Sequence, residues 1–319
     1  MNSNLNRLLS QRILVLDGAM GTMLQLRGLQ GNSEAHNLTH PQIVAQIHQE
    51  YIDAGADIIT TNTFSLDYDT ALAGASLARR VANGCGRQVF VAGSAGPTSH
   101  SLSIATDADH VDFREVDFDM LSDSYARHIR GLIEGGVDII LLETCFDALN
   151  VKAAISAIQQ LHCTLPVMIS ATCDTSGHVL TGQSVEAFYT AVTHCTPISF
   201  GLNCSTGASD MHPTIREIAR FARCAVSCHP NAGLPDEMGR YNHTPQDVAA
   251  QIGAMAREGL LNIVGGCCGT TPQHIKAIAE AVHDVPPRPL AWPADTTLQV
   301  SGLGNWKLDR FTNIGERTN

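Results

Sequence analysis

The sequence predicts a single-domain (β/α)8 barrel, on three observations: eight continuous apolar runs ending in Gly, Asn, Thr or Ser, helical spacing between most of them, and a recurring junction pattern. The runs are LVLDGAMGT from Leu14, DIITTNTF from Asp57, VFVAGSAGP from Val89, VDIILLETC from Val137, VMISATC from Val167, PISFGLNCS from Pro197, CAVSCHPNAG from Cys224 and NIVGGCCGT from Asn262. They do not alternate polar with apolar, which is the pattern of parallel strands covered on both faces. Between them, Ile43, Ile47 and Tyr51, then Ile129, Leu132 and Ile133, then Ile275, Ile278, Ala279 and Val282 recur at the spacing of an amphipathic helix. Thr39-His40-Pro41-Gln42 and Thr271-Pro272 read as helix starts, a capping hydroxyl followed by Pro at the first turn.

The junctions supply the third observation. DAGADII from Asp53, EGGVDII from Glu134 and EGLLNIV from Glu258 each close a helix with Gly and open a strand. An open, doubly wound sheet is the competing architecture, but eight like units with no change of pattern favour a closed barrel over residues 1–285. From Pro286 the text becomes PPRPLAWPADTT, aperiodic and Pro-rich, which predicts a linker over 286–310. The last residues, 311–319 in RFTNIGERTN, read as the first strand and turn of a following domain, cut short.

Composition narrows the function. Of 319 residues, 44% are apolar and only 16% charged, implying a large interior, and no apolar run reaches the length of a membrane helix. The start, MNSNLNRLLSQRILVLDG, runs from a short apolar stretch straight into Asp17 without the features of a secretion signal, so a cytoplasmic location is expected. Ten cysteines in such a chain point to thiol or metal chemistry rather than a disulfide framework. A net charge of −11 argues against nucleic acid or an anionic membrane as the principal partner and leaves small-molecule chemistry. No P-loop, G-x-G-x-x-G after a strand, or H-E-x-x-H is present.

In a barrel the chemistry collects at the C-terminal strand ends. Here these carry Asp17-Gly18-Ala19-Met20-Gly21-Thr22, Glu143-Thr144-Cys145, Asn203-Cys204-Ser205 and Gly265-Gly266-Cys267-Cys268-Gly269. Neighbouring side chains of an extended strand point to opposite faces, so Cys267 and Cys268 can share a metal only if the backbone turns, which the flanking glycines permit. On spacing alone, a vicinal disulfide or two core cysteines in a Gly-rich turn fits the pair equally well. The position of Cys204 at the end of the sixth strand favours a metal site. Three thiolates and an open fourth position suit Zn2+. That ligand set is a poor activator of water and keeps a fourth thiolate nucleophilic, which points to alkyl transfer to sulfur. His229 reads as a hydrogen-bonded rim histidine, and Cys85, Cys145, Cys163, Cys173, Cys195, Cys224 and Cys228 as packing residues.

The combination DGAMGT at Asp17, TNTF at Thr61, LLET at Leu141, GLNCS at Gly201, PNAGLP at Pro230 and GGCCGT at Gly265 resembles the homocysteine S-methyltransferase family over essentially the whole chain. Within it the chain is most similar to the homocysteine-binding domain of cobalamin-dependent methionine synthases, because the tail FTNIGERTN looks like the opening of the folate-binding barrel that follows there. The resemblance implies zinc ligation by Cys204, Cys267 and Cys268, with Asn231 as fourth ligand when substrate is absent. Turn formation alone accounts equally well for an Asn between Pro and Gly. It implies that Asp17 and Glu143 hold the amino group of L-homocysteine, while N–H groups of the Gly18 to Gly21 turn suit its carboxylate. The homocysteine sulfur would then complete the zinc site and take a methyl group from methylcobalamin, with cobalamin- and folate-binding modules as partners in cis or in trans. Three rivals remain: a free-standing methyltransferase using S-methylmethionine or S-adenosylmethionine, a zinc hydrolase, and a barrel with structural zinc.

Overall fold

The computed structural model describes residues 2–105, 107, 109–110, 112–237, 239–290 and 297–311. Helix α1 (Asn2–Gln11) comes first, and eight parallel strands follow: β1 (Leu14–Val15), β2 (Ile58–Thr60), β3 (Phe90–Ala95), β4 (Ile139–Cys145), β5 (Val167–Ala171), β6 (Ser199–Gly207), β7 (Ala225–Asn231) and β8 (Ile263–Val264). From β2 to β8 each strand pairs with the next in sequence, and β8 returns to β1 through Leu14↔Ile263 and Val15↔Val264. The last gap, between β1 and β2, is spanned by a single parallel bridge, Leu16↔Ile58. The eight strands therefore form a nearly closed (β/α)8 barrel.

The helices cover its outside: α2 (Met20–Leu26), α3 (His36–Thr39), α4 (Pro41–Asp53), α5 (Tyr68–Gly84), α6 (Phe118–Glu134), α7 (Ala148–Gln160), α8 (Val185–Val192), α9 (Ala208–Phe221), α10 (Pro245–Arg257) and α11 (Pro272–Val282). Among the described residues, no helix is long and apolar enough to cross a membrane. Inside the barrel, Leu14, Leu16, Ile58, Phe90, Ile139, Leu141, Met168, Ala225 and Ile263 pack together, and Leu5 and Leu9 of α1 join them. Helix α1 thus closes the N-terminal end, leaving the opposite end open for chemistry.

The three Gly junctions are helix stops of one kind. Gly55, Gly136 and Gly259 have φ of 105°, 87° and 74°, the left-handed region where glycine carries no Cβ penalty. In each, the following N–H reaches back to a carbonyl of the last helical turn: Ala56 to Tyr51, Val137 to Leu132, Leu260 to Met255. One helix start differs from expectation. His40, not Thr39, is the N-cap of α4, because Thr39 is the last residue of α3 and its hydroxyl turns back to the Ala35 carbonyl. Thr271 does cap α11, pairing with His274 through its N–H.

The segment beginning at Pro286 is less free than its composition suggests. Arg288 is buried and donates to the carbonyls of Ala219, Ala222 and Cys224. A hairpin of β9 (Leu298–Ser301) and β10 (Asn305–Leu308) then pairs antiparallel. Asn305 bonds with Thr190 and Glu186 of α8, which holds the hairpin against the barrel. Residues 291–296 and 312–319 lie outside the described residues, and with them all but Phe311 of the segment 311–319 read as the opening of a following domain.

Candidate active site

Three sulfurs meet at the open end. Those of Cys204, Cys267 and Cys268 lie within 4.8 Å of one another, and Cys204 and Cys268 stand 3.9 Å apart. All ten cysteines are free. The turn demanded by the adjacent pair is present: the Thr270 N–H bonds to the Cys267 carbonyl, and Gly269 between them has φ 79°, the type II arrangement. A Cβ on Gly269 would come 2.2 Å from the Tyr241 ring, so only Gly fits. Cys204 reaches the same point by a different route. It has φ 61° and Ser205 has φ 57°, within an irregularity of the β6–β7 register between Asn203 and Gly207. That bulge re-aims the side chain toward the barrel axis.

The donor set fits a thiophilic cation. Sulfurs on a tetrahedral zinc at about 2.3 Å stand about 3.8 Å apart, close to the Cys204–Cys268 spacing. Without a cation the three sulfurs cannot all ionise comfortably. Donation from Cys267 and Cys268 lowers the Cys204 thiol well below the ordinary thiol range, whereas the pull of Cys204 and burial raise the other two. A divalent ion removes that conflict. Asn231, at the end of β7, is buried with its side-chain oxygen lacking any protein partner beside the cluster. Unlike Cys204, the buried cysteines outside the cluster are raised, burial pushing Cys173, Cys224 and Cys228 up to about 12.

A cavity of about 340 Å³ opens over the sulfurs, lined among others by Gly18, Gly21, Glu34, Thr60, Ser94, Glu143, Asn203 and His229. Glu143 accepts from the Ser94 hydroxyl, and burial lifts its carboxyl to about 7, helped by the nearby Cys204. Asp17 is 1% exposed and raised well above the usual carboxylate range, chiefly by burial and also by Glu143. Among the described residues neither acid is in an ion pair. A Cβ on Gly18 would meet Thr270 at 2.6 Å, while Gly21, in the first turn of α2, faces open space. His229 lies at the rim with its Nε2 lacking a protein partner, and burial lowers it to about 4, leaving it neutral.

Sequence reading missed the residues that hold this constellation. Thr60 and Ser94 carry the acids, Asn203 and Tyr51 brace the strand ends, and Glu34 adds a third buried carboxylate bonded to Ser65. Thr60 and Ser94 sit inside runs that read as buried strand, with no local signal of their own. Asn203, directly before a named cysteine, was the findable one.

A barrel with a sulfur-lined metal-capable mouth beside paired carboxylates defines a thiol-handling enzyme class, and comparison with known proteins narrows it. Residues 14–282 match the homocysteine S-methyltransferase family, and the chain belongs to it. It is accordingly a methyltransferase of homocysteine-methylating type. The homocysteine methyltransferase MmuM from Escherichia coli has the same fold. Its apo form is 22% identical with TM-score 0.66, and its metallated form 21% identical with TM-score 0.67. Each match covers 85% of this chain and 96% of that one. The oxidized form, 18% identical, superposes with TM-score 0.69 over 84% and 95%.

Proposed function

We propose that this chain is a zinc-dependent homocysteine-activating module of the methionine synthase type, taking its methyl group from methylcobalamin carried on another module. The observation that carries the reading is the convergence of Cys204, Cys267 and Cys268 on one cavity shared with Glu143. When bound, zinc supplies a position at which a thiol ionises yet stays nucleophilic, because three thiolates already donate to it. Asn231, whose side-chain oxygen has no protein partner, would fill that position when substrate is absent.

The chain's own groups orient the substrate. Glu143 and Asp17 form a carboxyl pair, both raised, whose ionisation an arriving α-ammonium would favour, since a cation stabilises their charged forms. Gly18 to Gly21 line the same cavity where α2 begins, and the N–H groups of that first helical turn, which have no partner within the helix, suit the α-carboxylate. The sulfur end is then directed at the cysteine cluster. Its proton leaves to solvent, its lone pair forms the new S–CH3 bond as the donor–CH3 bond breaks, and that electron pair stays with the donor. Methionine results. A cytoplasmic location, with cobalamin- and folate-binding modules in cis or in trans, completes the reading.

The test is metal stoichiometry of the reduced protein with and without homocysteine, followed by transfer assays offering methylcobalamin, S-methylmethionine or S-adenosylmethionine separately. Transfer from methylcobalamin supports the reading. Transfer from a sulfonium donor alone identifies a free-standing methyltransferase, and full activity in metal-free protein removes the zinc role.

A further inference from the structure

Asn203 is 1% exposed and ends the inner face of β6 directly before Cys204. Its side-chain oxygen accepts the Thr144 N–H at 2.8 Å, and its side-chain nitrogen donates to the Thr144 hydroxyl at 2.8 Å. The same nitrogen stands 3.8 Å from the Cys267 sulfur, within reach of an N–H···S bond. The orientation of this amide is not arbitrary. Only the oxygen can accept from a backbone N–H, so the nitrogen must face the sulfur.

What the amide holds is strained. Thr144 has φ 56°, a left-handed conformation that a β-branched residue adopts only when its surroundings impose it. The kink falls where the β4–β5 register shifts between Leu142 and Cys145, and it sends the adjacent Glu143 side chain toward Ser94 and the cavity. On the other side of Asn203, Cys204 is left-handed as well. One buried amide therefore sits between the strand end presenting the carboxylate and the strand end presenting a metal-capable sulfur, and touches a second sulfur.

We propose that Asn203 is a positioning residue that couples the substrate-ammonium subsite to the sulfur cluster, holding Glu143 through Thr144 and tuning Cys267 by N–H donation. The inference rests on the reading that Glu143 takes the homocysteine ammonium and that the sulfurs hold a metal. Outer-shell partners of this kind are worth about 10- to 100-fold in metal affinity or activity. Removing the donor leaves a more electron-rich Cys267 sulfur, and removing the clamp frees Thr144 to leave the left-handed region.

The two effects separate in cobalt(II)-loaded protein, where the sulfur-to-cobalt charge-transfer band reports the sulfur and titration with homocysteine reports the carboxylate. Asn203→Ala should move the band to lower energy and weaken homocysteine about tenfold or more. Adding Thr144→Gly, which removes the strain the clamp opposes, should restore homocysteine affinity while leaving the band displaced. Asn203→Asp keeps an oxygen for the Thr144 N–H and so guards against misfolding; it should displace the band while retaining homocysteine binding. Unmoved bands in both Asn203 variants, or no recovery with Thr144→Gly, overturn the coupling. A parent protein whose cobalt spectrum ignores homocysteine overturns the functional reading itself, and the coupling with it.

Discussion

Thr60 holds Asp17 by both carboxylate oxygens, its backbone N–H to one and its hydroxyl to the other, each at 2.9 Å. Those bonds oppose the burial that lifts the Asp17 carboxyl but do not cancel it, and among the described residues no cation forms an ion pair with it. Asp17→Asn preserves the shape and removes the charge. It should weaken homocysteine binding by about 2 kcal/mol, the worth of a charged hydrogen bond, while zinc content stays unchanged. Calorimetric titration with homocysteine, alongside metal analysis, checks both halves; unaltered affinity removes the role given to Asp17.

Cys267→Ala should abolish metal binding and methyl transfer together, because two remaining sulfurs leave the ion without its three protein ligands. Cys173→Ala serves as the comparison. Its thiol is buried, pushed up to about 12 and not one of the three clustered sulfurs, so metal content should persist and only packing should suffer. Zinc stoichiometry of both purified variants decides the matter, and metal retained by Cys267→Ala defeats the assignment.

The barrel was readable because burial leaves a mark on residues close together in sequence. Ile139, Ile140, Leu141 and Leu142 are all buried, inner and outer faces alike, and such runs survive inspection without a structure. The three sulfurs were readable because cysteines at strand ends and glycines beside them name a turn. What holds them was not. Thr60 and Asp17 lie 43 residues apart, Asn203 and Thr144 lie 59 apart, and nothing local in either partner announces the other. The left-handed Thr144 and Cys204 were equally hidden, since neither residue type prefers that region. The hairpin of β9 and β10 escaped notice because its docking depends on Asn305 meeting α8, a contact made far along the chain.

Two glycines of similar sequence context should respond differently to substitution. Gly269→Ala places a methyl group 2.2 Å from the Tyr241 ring and forces an L-residue to φ 79°. The turn carrying Cys268 then opens, and stability should fall by about 1–3 kcal/mol together with metal affinity. Gly21→Ala meets nothing within 4 Å and lies in a helix, so its stability should be unchanged or slightly raised. Urea denaturation and zinc competition with a chromophoric chelator distinguish the two, and equal losses contradict the steric account.

His48 is fully buried on α4, and neither ring nitrogen has a protein hydrogen-bond partner. Burial alone lowers it from the ordinary 6.5 to about 4, so the folded protein keeps the ring neutral where the unfolded chain would protonate it. For a group with depressed folded pKa the contribution to stability is complete above 6.5 and is lost as the pH falls toward 4. His229, also lowered to about 4 by burial, acts in the same direction. Replacing His48 with Leu removes one of these terms and two unpaired polar atoms, which at neutral pH is near neutral or stabilising. The advantage of His48→Leu over the parent should therefore widen by about 2 kcal/mol between about pH 7 and about pH 5, following the linkage relation. Urea unfolding of metal-free protein at both pH values measures it. Parallel loss of stability in the two proteins means that the His48 ring already exchanges its proton in the folded state, and the buried, unpaired environment ascribed to it is wrong.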